Sequence, residues 1–337
     1  MRPTIIHLID DTKLGGVNLA LESLAASRLN QLFAFKLVHR RFSRPSFRRY
    51  TADIILLHGA VSWRKLPAFL ALKLANIGTP ILYQEHHYSR EFARYCVKSP
   101  WRFRLMLRLG YGLMDKVLLV SNAQADWLEE LRVLPKEKMA RVGQAKELSR
   151  FLSLPEKAVV TPLILLAYGR LSQQKGFELL IKAMAKLPSY RVKLILAGEG
   201  ELLPVLSALA KPLSHVHLVG EVLDVPKFLA AGDVVIIPSR WEPFGLTCLE
   251  AIAAGKGVIA ANIDGLSDQL AGLQQQGNGY QIIDELTVAG IESAINHALS
   301  GERLKINAAQ RLSSAQAWES VLERWQQLLE GLLNRRK

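Results

Sequence analysis

The chain has 337 residues, half of them hydrophobic, and a net charge of +13; that length suits about two domains, each with a sizeable core. Two cysteines, Cys96 and Cys248, exclude a disulfide scaffold or a cysteine zinc site and read as reduced thiols of a cytosolic protein. No apolar run reaches the roughly 18 residues that span a bilayer, and the opening residues lack the apolar region of a signal peptide.

The charge is uneven. Residues 1–150 hold 25 Lys and Arg against 12 Asp and Glu, while residues 151–337 hold 18 of each. A basic half beside a neutral half suggests an anionic partner: nucleic acid, anionic lipid or a phosphorylated substrate. Solubility alone is the competing explanation.

The first half alternates short apolar runs with amphipathic stretches. Strands are predicted at Thr4–Ile9, Phe33–His39, Asp53–His58, Pro80–His86 and Lys116–Ser121. Helices are predicted at Leu19–Leu29, Ser62–Asn76 and Ala123–Leu131. The alternation predicts a parallel α/β sheet. Gly15 and Gly16 fall between the first strand and its helix, where small residues admit a ligand to a helix N-terminus or simply form a tight turn. Arg40, Arg41, Arg44, Arg48 and Arg49 crowd a segment with Phe42, Phe47 and Tyr50. From Lys98 to Tyr111, Trp101, Leu105, Arg108 and Leu109 share helical spacing, interleaved with Arg102 and Arg104. Such a mixture suits a helix lying on an anionic membrane surface, or a solvated helix that packs its apolar stripe inward. No recognised nucleic-acid motif accompanies the charge, so no nucleic-acid partner is expected.

His86 and His87 close the fourth strand, where the carboxyl ends of parallel strands form a ligand crevice. His58 ends the third strand in the same way. A histidine there donates to a phosphate, orients a hydroxyl, or is structural. Residues 151–161, with Pro155, Glu156 and Lys157, read as a linker between domains.

The second half repeats the alternation. Strands are predicted at Pro162–Ala167, Val192–Ala197, His215–Val219, Asp233–Ile237, Gly257–Ala261 and Tyr280–Ile283. Helices are predicted at Phe177–Leu187, Leu202–Ala210, Val225–Ala230, Leu246–Ala254, Leu266–Gln275, Ile291–Leu299 and Gln316–Leu333. Gly169 and Arg170 follow the first of these strands, and Lys175 closes the loop they open. Two cations at that spacing suit a diphosphate. Gly198 and Gly220 follow the next two strands and keep side-chain bulk out of the crevice. After the fourth strand comes Pro238-Ser239-Arg240-Trp241-Glu242-Pro243-Phe244-Gly245-Leu246, with Glu250 eight positions beyond Glu242. A helix starting near Gly245 offers free amides to an anion, and the two acids suit hydroxyl groups of the same ligand.

Taken together, Gly-Arg-Leu-x-x-x-Lys-Gly, Gly-Glu-Gly and Glu-Pro-Phe-Gly with a second Glu resemble the family 4 retaining glycosyltransferases of the GT-B fold, the glycosyl transferases group 1. The motif-rich match covers roughly 160–285. The resemblance implies two Rossmann-like α/β domains facing each other across a cleft: an acceptor-binding domain at 1–155, a nucleotide-sugar-binding domain at 160–315, and a terminal helix at 316–337 packing back on the first. It implies a UDP- or GDP-linked sugar donor and a glycan or lipid-linked acceptor, as in bacterial cell-surface polysaccharide or lipopolysaccharide synthesis. The enzyme would be cytoplasmic, on the inner face of the plasma membrane.

Family roles transfer position by position. Arg170 and Lys175 would neutralise the donor diphosphate, and Glu250 would hold the ribose. Glu242 would bind the transferred sugar with the amides around Phe244, Gly245 and Leu246. Gly15, Gly16, Gly169, Gly198 and Gly220 would make room for the nucleotide, and His86 would lie near sugar and acceptor. No enzyme nucleophile is implied, and the absence of Asp-x-Asp agrees with the family's metal-independent chemistry. The chain departs from the family at Arg141-Val142-Gly143-Gln144-Ala145, where Asn-Gly-x-Asp is common. It departs again at Asp264-Gly265-Leu266-Ser267-Asp268, where Gly-Gly and Pro-Glu are common. The drifted acceptor side leaves a non-catalytic nucleotide-sugar-binding module or a GT-B epimerase as alternatives. A phosphorylase would need a lysine-bound cofactor, for which the sequence has no evident site.

Overall fold

Two six-stranded sheets, all parallel, form the frame of the protein. The computed structural model describes residues 2–10, 15–156, 161–275, 277, 279–300 and 304–334.

The first sheet holds β1 (Thr4–Ile9), β2 (Ala34–His39), β3 (Ile54–His58), β4 (Ile81–Glu85), β5 (Lys116–Leu119) and β6 (Met139–Arg141) in the order β2-β1-β3-β4-β5-β6. The helices are α1 (Gly15–Ala26), α2 (Leu66–Ala75), α3 (Arg90–Cys96), α4 (Pro100–Gly112) and α5 (Asn122–Leu131). Strands β3 and β4 are buried along their whole length, as sheets covered on both faces require. Their side chains pack with Phe69 and Leu72 of α2, Met106 and Leu107 of α4, and Leu128 of α5.

The second sheet follows α6 (Ser149–Leu152). It holds β7 (Leu163–Tyr168), β8 (Val192–Ala197), β9 (Val216–Leu218), β10 (Val234–Ile237), β11 (Gly257–Ala261) and β12 (Tyr280–Ile283), ordered β12-β11-β10-β7-β8-β9. With it run α7 (Phe177–Met184), α8 (Leu203–Ala210), α9 (Val225–Ala230), α10 (Leu246–Ala253), α11 (Asp264–Gln274) and α12 (Val288–Ser300). Leu180, Ile181 and Met184 of α7 and Ile291 and Ile295 of α12 fill its core against Leu165, Leu194 and Ile236.

The chain separates into two units: residues up to Glu147 together with those from Trp318, and Leu148–Ala317. The change falls just before α6, upstream of the residues that the composition marks as a linker; of those, 157–160 lie outside the described residues. The last helix, α13 (Ala308–Asn334), serves both units. In the second, Arg311 donates to the carbonyls of Leu152 and Leu154 at 2.6 and 3.1 Å. In the first, Val321, Leu322, Trp325 and Leu329 are buried, and Arg324 donates to the Val142 carbonyl at 3.1 Å.

Every predicted strand is present with ends within two residues of expectation. Helix starts differ more. Helix α13 begins well before Gln316 because Asn307 and Gln310 cap it reciprocally: the Gln310 amide donates to Asn307 Oδ1 at 2.8 Å, and the Asn307 amide to Gln310 Oε1 at 2.9 Å. Helix α1 begins at Gly15, so the glycine pair forms its first turn, where backbone N–H groups have no partner within the helix. Strand β6 was missed because Met139-Ala140-Arg141 has no apolar alternation; it is a short edge strand on β5.

Candidate functional site

The second sheet explains which loops meet. Its order places β7 beside β10, and the chain leaves that pair in opposite directions. Loops at the carboxyl ends of such neighbours diverge and open a crevice. The loops that follow are 169–176 and 238–245, which carry the motifs.

Lys175 Nζ lies 2.5 Å from Glu242 Oε2, both side chains mostly enclosed at 14% and 12% exposure. The Ser239 hydroxyl donates to the same carboxylate oxygen at 3.2 Å. The two loops are laced elsewhere too. Arg240 pairs with Glu178 and donates to the Gln173 carbonyl at 2.6 Å, and the Gln174 side-chain amide donates to the Trp241 carbonyl at 3.0 Å. At Gly176, φ is +66° and an added Cβ would lie 2.1 Å from the Pro238 carbonyl oxygen, so only glycine lets the loops close this tightly.

The Glu242 loop is also tied to α11. The Glu242 N–H donates to Asp264 Oδ2 at 3.1 Å, and the Gly265 N–H donates to the Glu242 carbonyl at 3.0 Å. Asp264 has φ +42°, a left-handed conformation costly for most residues and better tolerated by Asp. It stands where the family resemblance leads one to expect glycine. Its carboxylate compensates by holding the Glu242 amide.

Glu250 is buried on α10 and accepts from the Tyr168 hydroxyl at 2.5 Å. Burial, reinforced by the Glu250 charge, raises the Tyr168 phenol well above its ordinary range, so Tyr168 remains a donor. Gly245, at φ +94°, precedes α10, and Leu246 is the helix's first residue. The Gln269 side-chain amide pins the Phe244 and Gly245 carbonyls at 2.6 and 3.1 Å. Cys248 is buried, its thiol pushed up to about 12 by burial and then by the Glu242 charge. Gly169, Gly198 and Gly220 continue the ends of β7, β8 and β9. The Gly169 amide donates to the Ala197 carbonyl at 3.1 Å, and the Gly198 amide to the Gly220 carbonyl at 2.7 Å. Arg170 is exposed at the start of the first loop.

In the first unit the strand ends carry histidines. His7 Nδ1 and His58 Nε2 are 2.9 Å apart, His58 Nδ1 and His86 Nε2 are 3.1 Å apart, and His86 Nδ1 lies 3.4 Å from Gln144 Oε1. Burial is the main cause of the lowered pKa of all three: to about 4 for His7, to about 3 for His86, and well below the ordinary value for His58. Glu85 shapes the turn that presents His86. Its buried carboxylate accepts from the His87 and Tyr88 amides at 2.7 and 2.9 Å and from the Tyr111 hydroxyl at 2.5 Å. Burial pushes it above the usual carboxylate range. Gly15 and Gly16 are at the start of α1 in this unit.

The basic clusters divide. On α4, Trp101, Leu105 and Leu109 are exposed at 69%, 41% and 47%, whereas Met106 and Leu107 are core. Phe42 and Tyr50 are buried, and only Phe47 of those three aromatics is exposed. The Arg40 guanidinium covers the rings of Phe42 and Tyr50 at 5.4 and 5.6 Å. Among the described residues no helix is long and apolar enough to cross a membrane.

Tyr168, Ser239 and Asp264 escaped the sequence reading. Tyr168 is the last residue of an otherwise apolar strand, which was its one local signal. Asp264 was visible only as a departure from a glycine pair.

These sheets, and the crevice-lining loops of the second, are those of the GT-B glycosyltransferase fold. Residues 153–316 match the model of the family described as glycosyl transferases group 1, and the chain is related to glycosyltransferases of the GT-B type. An uncharacterized glycosyltransferase of Methanocaldococcus jannaschii is 28% identical over 218 residues, covering 61% of this chain and 52% of that protein. The chain spans about half the length of the curated relatives it matches. Among solved structures, Anabaena HepE in complex with UDP and glucose has a TM-score of 0.72 at 20% identity, covering 98% of this chain and 99% of that one. WaaG, a glycosyltransferase involved in lipopolysaccharide biosynthesis, has a TM-score of 0.65 at 16% identity, covering 98% of each chain. At these identities the structural likeness concerns the fold alone.

Proposed function

We propose that the protein is a retaining, metal-independent glycosyltransferase. It moves a hexose-type sugar from a UDP- or GDP-linked donor to a glycan or lipid-linked acceptor, in bacterial cell-surface polysaccharide or lipopolysaccharide synthesis. The observation that carries this reading is the Lys175–Glu242 pair at the switch point of a parallel sheet, in the same unit as a half-buried Tyr168–Glu250 pair. Breaking the bond between sugar and diphosphate builds negative charge on the leaving phosphate. Lys175 has three N–H donors, so it bridges that phosphate while holding Glu242 in place. Arg170 and the amides at the start of α10 add to the same stabilisation. Glu242 then accepts from sugar hydroxyls and Glu250 from ribose hydroxyls, its geometry held by Tyr168. HepE, solved with UDP and glucose, and WaaG, involved in lipopolysaccharide biosynthesis, share the fold on which this reading is built.

The exposed apolar stripe of α4 supports a peripheral role on an anionic membrane at the cytoplasmic face. Arg102, Arg104 and Arg108 flank it, and in the same unit Leu70 and Leu74 of α2 and Ile77 just after it are also exposed. Sedimentation with anionic vesicles should exceed that with neutral ones, and replacing the three arginines by Gln should remove the difference. Equal sedimentation would rule this surface out.

The transferase reading is tested by donor turnover. Transfer that persists unchanged in Glu242→Ala and Arg170→Ala would end it. The remodelled turn at Gly143-Gln144, braced by Arg324, favours a second reading, a nucleotide-sugar-binding module without transfer. That reading predicts donor binding with no product across a wide acceptor panel.

A further inference from the structure

The three histidines of the first unit form a chain with a direction. Each link joins two ring nitrogens, so one must carry a proton and the other must not. At the outer end His86 Nδ1 faces Gln144 Oε1, and a carbonyl oxygen only accepts. His86 therefore donates from Nδ1, and its Nε2 is the acceptor that faces His58. His58 in turn donates from Nδ1 and accepts at Nε2, and His7 donates from Nδ1.

The inner end gives the same answer independently. His7 Nε2 is buried without a hydrogen-bond partner, enclosed by the sheet and by Trp325, whose ring centroid lies 6.2 Å away. With the direction above, His7 Nε2 is a bare lone pair. The opposite direction, with the Gln144 amide turned over, would bury a bare N–H there. A stranded donor is the rarer and more costly state in protein interiors. The rings are also fixed in orientation. The His7 and His58 rings lie edge to edge, centroids 5.1 Å apart with 4° between planes, and the His58 and His86 rings likewise at 5.4 Å with 29°. His7 and His58 are both 1% exposed. The lowered pKa values support three neutral rings, as the chain requires.

We propose that His58 and His7 are positioning residues that lock His86 as the neutral Nδ1–H tautomer, making His86 a hydrogen-bond donor rather than a base. Nδ1–H is the group turned toward Gln144, at the long distance of 3.4 Å. This is the weakest link of the chain and the one a ligand oxygen would exchange. The functional consequence rests on the proposed transferase reading: a sugar hydroxyl or phosphate oxygen meeting His86 receives a proton-bearing nitrogen. It also gives a role to the departure at Gln144, whose amide oxygen sets the polarity of the whole chain.

The test uses the full-length protein labelled with 15N-histidine. Long-range proton–nitrogen correlation spectra distinguish Nδ1–H from Nε2–H imidazoles, and His7→Gln, His58→Asn and His86→Gln assign the signals. The expected result is the Nδ1–H pattern for all three at neutral pH. An Nε2–H or doubly protonated His86 would overturn the proposal. His58→Phe removes the donor to His86, while Asn keeps an N–H in the place of Nδ1. The Phe variant should release His86 into a mixture of tautomers and lower kcat/KM roughly tenfold, the scale of one lost hydrogen bond; the Asn variant should restore both. An unmoved His86 spectrum in a folded Phe variant would also overturn it. The Nδ1–H pattern with no turnover of any sugar nucleotide would support the chain and remove the transferase reading, so the two fail separately.

Discussion

The two units hold most of their polar groups differently at the carboxyl ends of their strands, although the first also keeps one charged pair there, Asp10 with Lys65. In the second, charged groups are set in opposed pairs: Lys175 with Glu242 between two loops, and Arg240 with Glu178 at the start of α7. In the first, His7, His58 and His86 are neutral and held by burial, and Glu85 is capped by two amides and a phenol. Charged pairs at a crevice suit a ligand that brings charge of its own, because the partners are exchanged rather than stranded. A buried neutral chain suits fixed direction, because a ring with one donor and one acceptor can be locked by its neighbours.

The contrast is broken most severely at Gly176. Gly176→Ala places a Cβ 2.1 Å from the Pro238 carbonyl oxygen at φ +66°, and should cost about 3 kcal/mol or more of stability through overpacking and strain. A thermal melt unchanged from wild type would show that the two loops are not bound to this spacing.

The pH dependence sharpens the comparison next. The unfolded chain titrates its histidines near 6.5, whereas His7 in the fold titrates at about 4 and His86 at about 3. Between these values the unfolded state binds more protons, so stability falls as the pH drops below about 6.5, by roughly 3 kcal/mol from His7 alone once the pH passes below 4. Glu85 opposes this: its raised pKa lets the fold retain a proton the unfolded chain has lost, so its contribution strengthens as pH falls. Urea midpoints at pH 7.5 and 5 should therefore separate, the lower pH being less stable, and more so in Glu85→Gln if that variant folds. Coincident midpoints would mean the imidazoles are not buried neutral.

On the charged side, Glu242→Ala should lower kcat for transfer roughly 10- to 100-fold, as expected for hydrogen bonds to a charged group, while nucleoside diphosphate affinity changes little. The smallest effect is expected at Asp264→Gly. Relief of the left-handed conformation and loss of the Glu242 amide bond nearly cancel in stability, to within about 1 kcal/mol. Transfer should still drop a few-fold, because the Glu242 loop loosens. A fall in stability well beyond that would mean the carboxylate, not the backbone conformation, dominates there.

The charged site was legible in the sequence; of the neutral one, His58 and His86 were legible as strand-end residues, but their link to each other and to His7 was not. Arg170, Lys175, Glu242 and Glu250 sit in loops where glycine and proline mark the strand ends, so residue type and spacing alone indicate what they face. The chain His7–His58–His86 joins residues on β1, β3 and just after β4, neighbours only once strand order and register are known. His7 lies inside a strand with no local sign of its role. Strands were legible because buried parallel strands are short unbroken apolar runs. Helix starts such as Asn307-x-x-Gln310 depend on side-chain caps that periodicity does not register.

The account stands most directly on the charged site, and differential thermal stabilisation by a panel of UDP- and GDP-sugars measures it. A ligand bound only by the folded state raises Tm with its concentration. The account predicts that a sugar nucleotide of one base raises Tm in the wild type, that Glu250→Ala largely removes this rise, and that Glu242→Ala keeps the rise given by the free nucleoside diphosphate. A panel in which no nucleotide sugar shifts Tm, or in which Glu250→Ala responds like the wild type, would contradict it.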